Sequence, residues 1–342
     1  MARWRWAGLM VARRTVLVTG GAGYIGSHVV LALHRANWPV VVLDDLSTGR
    51  REALPAEVAL AIGDVGEGEL VGQVLRDHRV AAVLHLAGSI QVAESVRRPL
   101  AYYRNNTQAS LTLIEACVTA GIEALVFSST AAVYGNPESV PVDEAAPTRP
   151  LTPYGRSKLM IEQILRDVAA AYSLRHVILR YFNVAGADPA GQIGPAAPGA
   201  THLLKVACEA ALGRRAVVPV YGDDYPTPDG TCVRDFVHVS DLAAAHLCAL
   251  EHLLAGGASC TLNCGYGRGF SVREVLDLVG QVVGRPLVIE PVARRPGDPV
   301  EVVAAAERIR DLLGWRPRHD NLEQIVRDAL RFERRLVERS GD

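Results

Sequence analysis

The chain has 342 residues, 49% of them apolar and 21% charged, which supports a sizeable core in one large domain or two small ones and excludes a disordered chain. A net charge of −1 carries no basic excess and argues against nucleic-acid binding. No apolar run reaches the roughly 18 residues of a membrane span, so no membrane partner is expected.

Residues 1–13 are basic, and their apolar part is too short for a signal peptide. Met10 is expected to be the natural start, and the fold is read from residue 14 onward. Thr15-Val-Leu-Val-Thr19, a β-branched run ending in glycines, predicts a buried strand. A helix follows over 24–36, then strands over 40–44 and 58–62, a helix over 69–78 and a strand over 82–86. A long helix is predicted over 100–120, a strand over 124–128, a helix over 154–172 and a strand over 176–180. Strands that alternate with helices and are apolar on both faces predict an α/β fold, a Rossmann-type doubly wound parallel sheet.

Near residue 185 the rhythm changes. Loops rich in Gly and Pro are expected over 185–200 and 221–233, with helices over 201–212, 241–254, 271–283 and 322–337. The expected division is a nucleotide-binding core of 14–184 and a smaller, mixed C-terminal substrate lobe of 185–342, some of which returns to the sheet. Six cysteines (117, 208, 232, 248, 260 and 264) form no Cys-x-x-Cys pair. Cys260 and Cys264 flank a strand rather than a metal knuckle, so no metal is expected, and buried reduced thiols suit a cytoplasmic protein.

Gly20, Gly23 and Gly26 fall between the first strand and the first helix. Glycine permits a tight turn and close backbone approach to a pyrophosphate, while the helix start offers N–H donors and a positive dipole end. Asp44 ends the second strand, where a carboxylate accepts from ribose hydroxyls and repels a 2′-phosphate, favouring NAD over NADP. A plain turn aspartate is the alternative. Asp64 is placed to meet an adenine. Leu86, Ala87 and Gly88 end the fourth strand, where small residues let the backbone line a cofactor cleft. Tyr24, Ile25, Val65, Asn106, Ser128 and Tyr181 complete the candidate cofactor set.

Tyr154 and Lys158 lie four apart at the start of a helix and so share a face. A lysine beside a phenol favours the phenolate, which then serves as a base for an alcohol proton. A chance surface pair is the alternative when the two are taken alone. Thr130 leaves the fifth strand at its carboxyl end, where open α/β sheets bind ligands, and offers a hydroxyl near Tyr154.

The glycine run, Thr130, Tyr154 and Lys158, in this order and on these elements, resemble the extended short-chain dehydrogenase/reductase superfamily. Asn105-Asn106, Arg180-Tyr-Phe-Asn183, Tyr225-Pro-Thr-Pro-Asp-Gly-Thr-Cys-Val-Arg234, Arg294-Arg-Pro-Gly-Asp298 and Leu313-Gly-Trp-Arg-Pro317 are similar to signatures of its UDP-glucose 4-epimerase family. The resemblance implies that Tyr154 takes the proton of the sugar 4-hydroxyl, that retained NAD takes and returns the C4 hydride, and that Lys158 and Thr130 assist. It also implies a UDP-sugar substrate held by Thr130, Tyr154, Asn183, His202, Leu203, Tyr221, Arg234, Arg295 and Asp298, with Tyr221 stacked on uracil and the arginines on the diphosphate. A homodimer is implied through the helices 100–120 and 154–172.

Ala131-Ala132 occupy the place where related dehydratases carry Asp-Glu, which favours simple epimerisation. Ile90 stands where many members have a lysine on the cofactor, and His202 where asparagine is frequent. Val302 stands where some members have a tyrosine, leaving room for an N-acetyl group. UDP-pentose or UDP-uronate epimerisation and non-catalytic NAD sensing are the alternatives.

Overall fold

β-branched runs build the centre of the molecule. A computed structural model describes residues 14–197, 199, 201–295 and 297–340; the basic leader 1–13 with Met10, residues 198 and 200 of the loop expected over 185–200, residue 296 and residues 341–342 lie outside them. Strands β1 (Thr15–Thr19), β2 (Val40–Asp44), β3 (Ala59–Ile62), β4 (Val80–His85), β5 (Ala124–Thr130) and β6 (Arg175–Tyr181) pair in parallel. The chain then leaves through β7 (Asn183–Ala185), β8 (Val218–Tyr221) and β9 (Val233–His238), and returns as β10 (Cys260–Cys264) beside β6. The seven-stranded order is β10-β6-β5-β4-β1-β2-β3. Strands β11 (Gly269–Ser271) and β13 (Glu301–Val302) join β7 around β9, while β12 (Ile289–Val292) pairs with β8. Edge strand β3 departs from the two-sided apolar expectation, since its Ile62 is exposed.

The helices are α1 (Tyr24–Arg35), α2 (Gly68–Asp77), α3 (Val92–Arg97), α4 (Pro99–Tyr102), α5 (Ala109–Thr119), α6 (Pro153–Ala171), α7 (Leu203–Ala211), α8 (Val239–Leu254), α9 (Val272–Val283), α10 (Glu307–Leu313) and α11 (Leu322–Ser340). On one face of the sheet, Val29, Val30 and Leu33 of α1 share a core with Leu242, Ala245 and Ala249 of α8. On the other, Val71 and Leu75 of α2 pack with Leu113, Ile114 and Cys117 of α5 and Ile161 and Leu165 of α6. A third cluster joins Ala207, Val275, Val279, Ile325 and Val326 of α7, α9 and α11. Both faces of a parallel sheet are thereby covered, as its unbroken apolar strands require. Among the described residues no helix is long and apolar enough to cross a membrane.

Two boundaries matter for the site. The long helix expected over 100–120 is interrupted by a π-helical stretch, Tyr103–Gln108, between α4 and α5. Such bulges favour functional positions, and this one turns Asn105 and Asn106 onto Ser89. Helix α6 begins at Pro153, with Thr152 as its cap accepting from the Gly155 amide at 3.3 Å. Proline at the first helical position and a hydroxyl cap start the helix where Tyr154 is needed.

Candidate active site

The glycine turn between β1 and α1 is tightly built. Gly20 has φ +67°, and a Cβ there would sit 2.6 Å from the Ala87 nitrogen. A Cβ on Gly26 would sit 2.0 Å from the Gly20 carbonyl oxygen, so Gly26 lets α1 close on the turn. Gly23 caps α1, with no side chain on the first amides and no acid in the first turn. The positive end of the helix is therefore left for an external anion. Tyr24 donates to the Gly186 carbonyl at 2.7 Å, and Ile25 packs against the core.

Asp44 accepts from the Ala22 amide and the Leu46 amide, both at 2.9 Å. Burial raises its pKa, against the pull of these two bonds. The carboxylate is thus both a turn aspartate and a buried acceptor at the end of β2. Asp64 bends back to its own turn and accepts from the Gly66 amide at 2.6 Å, beside buried Val65. No hydrogen bond links Asp64 to the reaction residues described next.

At the end of β4, Gly88 has φ +150°, and a Cβ there would lie 3.0 Å from Asn106 Oδ1 and 3.6 Å from Lys158 Nζ. Asn106 accepts from the Ser89 amide at 2.8 Å and donates to Ser157 Oγ at 3.0 Å. Its carbonyl accepts from Ser110 Oγ, which is 2.7 Å from His85 Nε2, and His85 Nδ1 is 2.7 Å from Thr19 Oγ1. Burial, with Lys158 nearby, pushes the His85 imidazole down to about 3. Ile90, in the place of the expected lysine, is exposed.

Tyr154 and Lys158 are buried together with Thr130 and Ser128 at the carboxyl ends of the central strands. The shared helix face was legible, but its electrostatics differ from expectation. Burial raises the Tyr154 pKa, and its hydrogen bond with Thr130 opposes that rise. Lys158 Nζ instead donates to the Ser128 carbonyl at 3.1 Å and lies 4.9 Å from the Phe127 ring centre. Burial lowers the lysine itself to about 8. Desolvation is the largest cause of both shifts. Ser128 Oγ is 3.0 Å from His246 Nε2, and burial also raises the Tyr181 phenol, against its bond with Ser128. Ala131 to Val133 form a single 3-10 turn directly after Thr130.

The substrate candidates form two groups. His202 caps α7, just before Leu203, with its ring 6.0 Å from that of Tyr24. Its Nδ1 is buried without a partner, and burial lowers its pKa. Around the C-terminal lobe, the Arg295 guanidinium lies 4.3 Å over the Tyr221 ring, and its Nε donates to Asp298 at 2.9 Å. One face of Tyr221 is thus taken, leaving only the other for a base. Arg234 donates to the Val233 and Val300 carbonyls at 2.8 and 3.4 Å. Gly297, φ +88°, would place a Cβ 2.6 Å from Thr152 Cγ2, so Gly297 itself rests on the cap of the helix carrying Tyr154. Asn183 is exposed on β7, just after Tyr181.

Sequence reading missed Arg294, which lies 4.1 Å over the Tyr225 ring and pairs with Asp224 at 2.6 Å. The Tyr225 hydroxyl is buried without a partner. The adjacent arginines 294 and 295 were visible, but their different partners were not. The open end of α1, the glycine backbone and the buried Asp44 acceptor fit a dinucleotide.

The family described as NAD dependent epimerase/dehydratase matches residues 16–265. The chain is 63% identical over 326 residues to the UDP-glucose 4-epimerase of Azospirillum brasilense, covering 95% of this chain and 94% of that protein. Among solved structures it is similar to the UDP-glucose 4-epimerase of Brucella ovis in complex with NAD, at 42% identity and a TM-score of 0.90, covering 93% and 97% of the two chains. It is also similar to the UDP-Glc/GlcNAc 4-epimerase of Campylobacter jejuni, at 43% identity and a TM-score of 0.82, covering 94% and 99%.

Proposed function

This chain belongs to the NAD dependent epimerase/dehydratase family, and from that premise we propose that it inverts C4 of a UDP-hexose, interconverting UDP-glucose and UDP-galactose. The observation that carries the reading is the buried Thr130–Tyr154–Lys158 cluster at the strand ends beside an uncapped glycine turn. NAD⁺, when bound, would supply a reversible hydride acceptor and a positive charge.

The chain's own residues do the rest. Gly20, Gly23 and Gly26 bring backbone to the pyrophosphate, and Asp44 accepts from the adenosine ribose. Tyr154 takes the proton from the sugar 4-hydroxyl and gives it back. Thr130 hydrogen-bonds that phenol and lowers its pKa. Lys158, tied to Ser128, would hold the nicotinamide ribose and add a positive charge there. Arg234, Arg295, Asp298, Asn183, His202, Leu203 and Tyr221 hold the UDP portion. Ala131 and Ala132 supply no carboxylate where related dehydratases carry Asp-Glu, which favours epimerisation over water elimination.

Purified protein incubated with UDP-galactose and no added NAD tests the reading. UDP-glucose should form, and Tyr154→Phe should lose at least ~100-fold in turnover while keeping its nucleotide. A fully active variant would remove Tyr154 from its role.

We further propose turnover of the N-acetyl sugars. Val302 pairs in register with Arg234, and a valine there leaves more room than a tyrosine. Equal assays with UDP-galactose and UDP-N-acetylgalactosamine decide this, and no detectable N-acetyl turnover sinks it. A homodimer is proposed through α4 to α6, whose Leu100, Leu111 and Met160 are exposed. Six free thiols support a reducing, cytoplasmic setting.

A further inference from the structure

We infer that Glu162 and Arg180 are positioning residues for Thr130, which they hold against the Tyr154 phenol by gripping the chain on both sides of it. The inference rests on the reading of Tyr154 as the base. On the near side, Ser129 Oγ donates to Glu162 Oε1 at 2.5 Å. On the far side, Thr130 opens the 3-10 turn that Tyr134 closes, and Arg180 Nη1 donates to the Tyr134 hydroxyl at 3.0 Å. The two anchors are themselves one ion pair: Arg180 Nη2 lies 2.6 Å from Glu162 Oε2, with side chains 3% and 0% exposed.

Each anchor belongs to an element that carries the chemistry. Glu162 lies four residues after Lys158 and eight after Tyr154, on the same face of α6. Arg180 stands opposite Ser129 in the β5–β6 register, one step before Tyr181 opposite Thr130. The pair therefore locks the helix of the base to the strand of its hydroxyl partner. Tyr134 continues the chain outward by donating to Asn263 Oδ1 at 2.6 Å on β10. Arg166 donates to Glu162 Oε2 at 2.9 Å from the solvent side.

Stability alone does not account for this arrangement. A buried ion pair is often no more stabilising than apolar residues of similar volume, because desolvation offsets the attraction. What it does supply is direction, since a bidentate guanidinium and carboxylate fix each other's angle and distance. Releasing either grip loosens the backbone that presents the Thr130 hydroxyl to the phenol and weakens a contact that pulls the phenol pKa down. The other groups facing Tyr154 stay in place: Lys158 on its own helix, Tyr181 on β6, and Tyr102 on α4 with Glu94 of α3 behind it.

Two holoenzyme variants test this, Ser129→Ala and the double variant Glu162→Gln with Arg180→Met. The second leaves no buried charge unpaired, since Arg166, which loses its partner, is 43% exposed, so it separates positioning from charge burial. UDP-galactose turnover is followed across pH, with thermal unfolding as a control. Both variants should lose on the order of 10-fold in kcat at neutral pH with KM nearly unchanged, and the ascending limb of kcat should move up by about one pH unit. Unfolding temperatures should stay near the wild type. Wild-type kcat and limb position in both variants would overturn the inference, and so would a uniform loss at every pH with the limb unmoved. A wild type that fails to interconvert the sugars overturns the underlying reading and this inference together.

Discussion

Replacing Lys158 by methionine separates what this residue does for stability from what it does for chemistry. The residue is 3% exposed, and burial lowers its ammonium from 10.5 to about 8. At pH 7 the lysine is charged in both folded and unfolded chains, so the shift is a penalty on the fold of about 3 kcal/mol. Methionine removes that penalty and fills the same space, but loses the bond to the Ser128 carbonyl, worth about 1 kcal/mol. The net expectation is a gain of about 2 kcal/mol at pH 7. At roughly 2 cal/mol/K per residue of unfolding entropy, that is a rise of about 3 °C in a chain of 342 residues. The sign with pH follows from the depressed folded value. Between pH 8 and 10.5 the unfolded chain binds the proton that the folded one has released, so wild-type stability rises with pH. The gain from methionine should therefore fade by pH 10.5. Thermal unfolding of nucleotide-free protein at pH 7 and 10.5 measures both, alongside loss of turnover. A variant no more stable than wild type at pH 7, or equally favoured at both pH values, would refute the reasoning.

Gly20→Ala should destabilise by about 2–4 kcal/mol, from the left-handed φ and overlap with the Ala87 backbone, and should lose bound nucleotide; unfolding temperature and the 260/280 nm absorbance ratio read the two effects, and a wild-type result in either contradicts it. His28, His176 and His246 are pushed down to about 4 by burial. Because unfolded histidines take up protons near pH 6.5, stability should fall by about 1.4 kcal/mol per pH unit for each as pH drops from 6.5 toward 4; urea midpoints at pH 7.5 and 5 that coincide would count against this. Leu100→Glu, at a position 75% exposed, should convert a dimer to monomer in light scattering, and a monomeric wild type would remove the proposed interface.

Much of the architecture was legible because its determinants are local. β-branched runs ended at glycines, and β1 and β2 follow their predicted boundaries. The helix over 100–120 was misread as continuous because its π-helical stretch serves contacts to Ser89, which sequence periodicity does not register. Strand β5 runs to Thr130, two residues beyond expectation, because β6 pairs with it to the end.

The division between sequence and tertiary structure is sharpest at the site. The glycine turn, the shared face of Tyr154 and Lys158, and the missing acids after Thr130 are readable from residue type at short spacing. The upward push of burial on the phenol, the turn of Lys158 toward Ser128, the capture of one Tyr221 face by Arg295 and the grip of Glu162 and Arg180 around Thr130 emerge only in the fold. Desolvation and hydrogen-bond partners come from groups dozens of residues away along the chain, and only the folded packing brings them together.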